Sequence, residues 1–171
     1  MAGHRRAWRI VPGDPQMRNQ ILGEFIRRDY ISIGWDIGDS IVGMSDDEIR
    51  NKLKQAGYPK VGYVLNQLKT FRDEMKEGDI VIVSADAFIY AVGEITSPYY
   101  YETHPTFYSE YEGETCVWTF PHRRRVRWLR ITKLPHSELP DKIRKRLQMR
   151  PTIIEIDWDM WERLSHIILS P

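Results

Sequence analysis

Two apolar runs, Ile80-Val81-Ile82-Val83 and Phe88-Ile89-Tyr90-Ala91-Val92, are separated only by Ser84-Ala85-Asp86-Ala87. Runs this short and continuous, joined by turn residues, predict a buried hairpin at the centre of a sheet. Just upstream, Val61, Val64, Leu65, Leu68, Phe71 and Met75 keep a 3.6-residue period, which predicts an amphipathic helix broken at Gly78-Asp79. The core is expected where this helix meets the hairpin.

The remaining segments arrange themselves around that centre. Ala7 to Val11 reads as a strand closed by Pro12-Gly13-Asp14-Pro15, after which Met17, Ile21, Leu22, Phe25 and Ile26 recur at helical spacing. Ser45-Asp46-Asp47-Glu48 has the form of a capping box, and Ile49 and Leu53 supply the apolar side of the short helix it opens. Val126 to Ile131 predicts a strand, Asp141 to Met149 a short basic helix and Thr152 to Ile156 another strand. Asp157 is read as the cap of a last helix carrying Trp161, Leu164 and Ile168. Thr96 to Phe120, dense in aromatics and interrupted by Pro98, Pro105 and Gly113, is expected to be one long irregular loop, the kind of segment that often carries function. Strands outnumber the room for helical crossovers. The fold class expected is therefore α+β, a strongly curved mixed or antiparallel sheet forming a partial barrel flanked by helices. The 171 residues, 42% of them hydrophobic, suit one domain spanning 1–171.

Several function classes are disfavoured by composition. The single cysteine, Cys116, allows no intrachain disulfide and no cysteine-based zinc site, and the five histidines never fall at an i, i+4 ligand spacing. Neither a cofactor nor a metal is expected. The amino terminus from Met1 to Arg6 is not followed by a leader-like apolar stretch, and no segment approaches the ~18 apolar residues of a membrane span. A soluble, cytoplasmic protein without a membrane partner is the expectation. The net charge of +1 conceals segregation: His122 to Arg127 and Lys142 to Arg146 are basic, whereas Asp36 to Glu48 and Glu110 to Glu114 are acidic.

The run Tyr30-Ile31-Ser32-Ile33-Gly34 ends in Trp35, followed by Asp36, Gly38 and Asp39, where no strand can continue. A flat ring on a strand-to-loop edge is placed to line a pocket for another flat ring, and stacking of an aromatic side chain on a base contributes ~1–3 kcal/mol without any charge. The structural alternative is an indole that plugs the sheet edge.

The order of Trp8-Arg9-Ile10-Val11-Pro12-Gly13, Ile33-Gly34-Trp35, Glu74 to Val83, Val92-Gly93-Glu94-Ile95, Arg125 to Leu129 and Thr152-Ile153-Ile154 before Trp161 resembles the EVE, YTH and PUA-like superfamily. Within it the chain is most similar to the EVE-like amino-terminal domains of McrB-type modification-dependent restriction proteins. The resemblance implies a curved sheet that takes a flipped, modified base into an aromatic cage while basic loops hold the strand. It implies modified double-stranded DNA as partner, with RNA as the alternative, and an N-terminal fragment of a longer protein that works with a GTPase motor domain and a nuclease subunit. N6-methyladenine is the expected base, with 5-methylcytosine as its rival.

Trp35 matches the cage tryptophan of YTH-type readers. Trp118, Tyr111 and Phe107 are candidate further walls, since a methylated amino group gains from contact with π faces. Asp14 falls where those readers place an Asn or Asp on the base edge, although a helix cap explains it equally. Ser84 and Asp86 are candidates for the pocket rim, and are also ordinary turn residues. Arg123, Arg125 and Arg127, alternating with Arg124, Val126 and Trp128, are expected to form an exposed phosphate track, with Arg124 counted among the backbone contacts as well, and Lys142, Arg144, Lys145 and Arg146 extend it unless that helix face is merely solvated. A small metal-dependent hydrolase built on Asp36, Asp39, Asp46, Asp47, Asp79, Asp86 and Glu94 is a further alternative, as is a protein-interaction domain. No catalytic residue is assigned.

Overall fold

The computed structural model describes residues 4–170; Met1, Ala2 and Gly3, part of the segment read above for a leader, lie outside them, as does Pro171. The central hairpin consists of β3 (Ile80–Ala85) and β4 (Phe88–Ile95), with Ile80 opposite Glu94 and Ala85 opposite Phe88. Its turn is tighter than expected. Only Asp86 and Ala87 lie between the strands, both at positive φ (53° and 69°), the twist that a two-residue hairpin requires.

β1 (Ala7–Ile10) runs parallel to β3 on the far side from β4, and β9 (Ile153–Ile156) pairs antiparallel with β1. On the other flank the long β8 (His122–Pro135) follows β4, then crosses to pair through its first residues with β2 (Tyr30–Ile33) and β5 (Tyr100–Tyr101). The order β2-β8-β4-β3-β1-β9 makes a mixed, curled sheet. Curling has a local cause. The β4–β8 register slips between Ile89 and Ala91 and again between Val92 and Gly93, and such irregularities bend a strand. Gly93 is needed at the second slip, because a Cβ there would lie 2.9 Å from the Trp128 ring and 3.1 Å from the Arg127 carbonyl oxygen.

The continuous apolar runs follow from burial on both faces of the sheet. One face, through Trp8, Ile10, Val81, Val83 and Ala91, packs on α1 (Arg18–Arg28), α2 (Asp46–Gln55) and α3 (Val61–Lys69). The opposite face, through Ile80, Ile82, Val92, Ile154 and Ile156, packs on α4 (Asp141–Leu147) and α5 (Trp158–Ile168). Beyond α3 the amphipathic pattern continues into a π-helical turn, Thr70–Glu74, which carries Phe71 into the core. Ser45 caps α2 by accepting from the Glu48 amide at 3.2 Å, but its hydroxyl also donates to the Glu48 carboxylate at 3.2 Å, so the reciprocal half of a capping box is redirected. Asp157 occupies the cap position of α5 without a side-chain bond to it.

Two expectations are corrected. The stretch from Thr96 to Phe120 is not irregular: it contains β5 and a separate two-stranded hairpin, β6 (Phe107–Tyr111) and β7 (Glu114–Trp118), turning at Glu112-Gly113. The arginines at the start of β8 do not form an exposed row, because this stretch lies between β2 and β5 and is covered; Arg123 and Arg124 are only 4% and 3% exposed. Among the described residues no helix is long and apolar enough to cross a membrane.

Candidate functional site

Where β1 and β2 end, on the face covered by α1, α2 and α3, the chain turns away at Gly13 and Gly34 and leaves a cavity of about 310 Å3. Its walls include Val11, Asp14, Met17, Ile33, Trp35, Tyr58, Trp118, Phe120 and Thr152. Gly13 sits at φ +61°, and a Cβ on it would drive into Ile21; a Cβ on Gly34 would come 3.2 Å from the Phe120 ring. Both glycines therefore let the backbone approach the wall closely.

Trp35 holds a left-handed conformation, φ 58°. Such a backbone is strained for a bulky residue and persists only where its surroundings enforce it. Three contacts do so. His122, neutral and protonated on Nε2, donates to the Trp35 carbonyl oxygen at 3.1 Å and accepts on Nδ1 from the Tyr99 hydroxyl at 2.6 Å. Burial pushes His122 down to about 4, against the raising effects of the Trp35 carbonyl and the Asp36 charge. The Tyr63 ring meets the indole edge-on, with centroids 6.0 Å apart.

Asp36 is the third. Its carboxylate accepts from the Gly38 amide, the Tyr101 hydroxyl and the Thr119 hydroxyl, each at 2.8 Å, while its carbonyl accepts from the Tyr58 hydroxyl at 2.9 Å. Burial alone would raise its pKa, but these donors outweigh burial and hold the carboxyl below its usual range. Four segments of the chain are thereby tied together behind one wall of the cavity.

Trp118 contributes a second indole to the cavity lining from the end of β7. The residue is 44% exposed, and its indole N–H donates to Ser109 Oγ across the β6–β7 hairpin at 2.7 Å. The hairpin is held to α1 and the turn before it by side chains that imitate a neighbouring strand: the Gln20 amide both accepts from and donates to the Tyr108 backbone (3.0 and 2.8 Å), and Gln16 Oε1 accepts from the Glu110 amide at 3.0 Å. Asp14 is not the cap of α1, whose cap position is Met17, but it binds the turn just before that helix. Its Oδ1 accepts from the Gln16 and Met17 amides ahead of α1, while the residue lines the cavity.

Of the residues singled out by sequence, Trp35, Trp118 and Asp14 thus converge. Phe107 is buried beneath them, edge-on to Phe120 with centroids 5.5 Å apart, and Tyr111 stands exposed at the hairpin tip. Ser84 is buried against His136 Nε2 at 2.7 Å and the Phe88 carbonyl oxygen. Asp86 takes both oxygens to Arg18 Nη1 at 2.6 and 2.7 Å, and Arg18 in turn donates to the Pro12 and Gly13 carbonyl oxygens, so Asp86 braces the cavity from behind. Arg124 donates to the Ser97 and Phe71 carbonyl oxygens and is a structural brace. Arg127 pairs with Glu94 at 3.2 Å, and Arg125 is exposed. Lys142, Arg144 and Lys145 lie on α4, across the sheet from the cavity, with Arg144 engaged by Asp141. Tyr58 and Thr152 are walls that the sequence did not single out. Among the described residues no three His, Cys, Asp or Glu converge as metal ligands, and Asp79, one of the hydrolase candidates, instead accepts from the Trp8 indole at 2.9 Å.

No curated protein matches this sequence. Among solved structures, the YTH domain of the Zygosaccharomyces rouxii MRB1 protein, in complex with N6-methyladenosine RNA, is similar over 97% of this chain and 88% of that one, with a TM-score of 0.51 at 12% identity. The YTH domain-containing protein mmi1, in an RNA complex, is similar over 96% and 81%, with a TM-score of 0.50 at 12% identity. At this identity the likeness is one of fold, and the chain has a YTH-like fold. The model of the family described as "Domain of unknown function (DUF8426)" matches residues 8–159, and the chain belongs to that family.

Proposed function

We propose that the chain is a binding module that reads a methylated base in nucleic acid by seating the base in the cavity between Trp35 and Trp118. The observation that carries this is the convergence of two indoles and one carboxylate, from three distant parts of the chain, on a space of about 310 Å3. That volume is at the small end of ligand pockets, about 300–1,000 Å3, and suits one base better than a larger ligand. N6-methyladenine fits the chemistry: its methyl group rests on π faces, and its remaining N–H donates to Asp14. The N6-methyladenosine RNA bound by the similar MRB1 domain supports this base and makes RNA the first polymer to test. Duplex DNA, with a restriction motor and nuclease as partners, is the second reading. It follows from the McrB-type resemblance and would require extruding the base at a cost of a few kcal/mol.

Fluorescence anisotropy tests this with matched oligonucleotides, as single-stranded RNA and duplex DNA, carrying N6-methyladenine, 5-methylcytosine or no modification. The N6-methyladenine strand is expected to bind tighter than its unmodified twin, and Trp35→Ala to abolish that preference. A stacking loss of ~1–3 kcal/mol corresponds to roughly 5- to 150-fold. Equal wild-type affinity for all the strands would sink the proposal.

A further inference from the structure

A second concavity, of about 830 Å3, opens between the end of α1 and the first residues of β8, lined among others by Arg27, Arg28, Tyr30, Tyr100, Arg123 and Arg125. Arg123 is the unusual member. It is buried, its guanidinium lies 4.5 Å over the Tyr30 ring, and its Nε donates to the Phe120 carbonyl oxygen at 3.3 Å, yet among the described residues its Nη2 has no hydrogen-bond partner. A buried guanidinium N–H without an acceptor is costly, and the Arg123 side chain also lines the cleft, where an oxyanion would meet its uncompensated charge.

The neighbouring charges point the same way. Arg125, two residues on and facing the same side, lies 5.4 Å over the Tyr100 ring. Among the described residues neither Arg123 nor Arg125 has a carboxylate within ion-pair distance. Arg27 and Arg28 share the single carboxylate of Glu24, at 3.5 and 3.3 Å, and their side chains are 71% exposed. Glu102 and Asp29 also line the cleft and offset part of this charge, so the excess is local and centred on β8. The cleft is joined to the cavity by two routes. Phe120 walls the cavity with its ring while its carbonyl receives Arg123, and β2 leads from Tyr30 in the cleft to Ile33 at the cavity, a distance of roughly 10 Å.

We propose that this cleft binds a phosphodiester of the strand whose base occupies the cavity, with Arg123 and Arg125 as its principal ligands and Arg28 at the rim. The identity of the strand rests on the reading of the cavity, whereas the anion site stands on its own geometry.

The test uses the whole chain, with Arg125→Gln and Arg28→Gln combined, since both residues are exposed and their replacement leaves the core intact. Anisotropy titrations of a methylated single strand and its unmethylated twin, across a salt series, are expected to show both affinities falling about tenfold, and the slope of log affinity on log salt shrinking by about 0.7, the contribution of the one phosphate no longer neutralised. Arg127→Gln, whose arginine already pairs with Glu94, should change neither. Unaltered affinity and slope in the double variant overturn the proposal. So does an effect confined to methyl discrimination, and so does a wild type in which inorganic phosphate shifts the Arg123 Nε NMR signal while strand binding ignores the double variant, since the cleft is then a free-anion site. If the wild type binds both strands equally but the double variant weakens both, the cavity reading fails and the phosphodiester site holds.

Discussion

Trp35 concentrates the chemistry of the site in one strained residue. Its left-handed backbone aims the indole along the cavity wall, and Asp36, Tyr63 and His122 keep it there. Glycine tolerates this conformation and alanine does not, so Trp35→Gly should be more stable than Trp35→Ala by ~1 kcal/mol in urea unfolding, although both lose the indole. Equal stability of the two variants would mean that the strain relaxes elsewhere. The pattern Ile33-Gly34-Trp35-Asp36 makes this position legible in the sequence, because an aromatic at the point where a strand must stop has few packing roles. Tyr58 is illegible there. Between Gly57 and Pro59 it reads as punctuation at the end of a helix, and only the hydrogen bond to the Asp36 carbonyl turns it towards the cavity.

At the level of elements, the β6–β7 hairpin is the least supported part of the site. Among the described residues it belongs to no larger sheet, and Gln20 of α1 with Gln16 from the turn before it hold its backbone by side-chain amides. Removing two such bonds with Gln20→Ala should speed hydrogen exchange at Tyr108 and its hairpin neighbours while shifting the global unfolding midpoint little. Exchange rates unchanged in the hairpin would show that Trp118 and Phe107 suffice to dock it. This hairpin escapes sequence reading because Pro98, Pro105 and Gly113 look like breaks in one loop. Glu112-Gly113 is in fact a tight turn, with φ of 50° and 79°. The basic start of β8 misleads for a related reason. Charge suggests exposure, whereas Arg124 is buried with carbonyl oxygens as its partners, a pairing that only the folded chain displays.

Across the whole molecule, the doubly covered sheet is the most legible feature, since burial on both faces leaves the central strands apolar throughout. The same burial makes stability depend on pH. His122 titrates at about 4 in the folded chain and near 6.5 when unfolded, so the unfolded state takes up the proton first. Stability is complete above pH ~6.5 and declines as pH falls towards 4, by ~2 kcal/mol between pH 7 and 5 from this residue alone. His136, lowered by burial as well, acts in the same direction. Urea unfolding at the two pH values should show a smaller loss for His122→Gln than for the wild type, and an identical loss would assign the sensitivity elsewhere. The cavity's walls reach from Val11 to Thr152, and β1 finds its outer partner only in β9. On a ribosome adding about 5–20 residues per second, Thr152 follows Trp35 by roughly 6–23 s. The cavity is therefore among the last parts to exist, and a nascent chain carries an open indole until translation has passed the ninth strand.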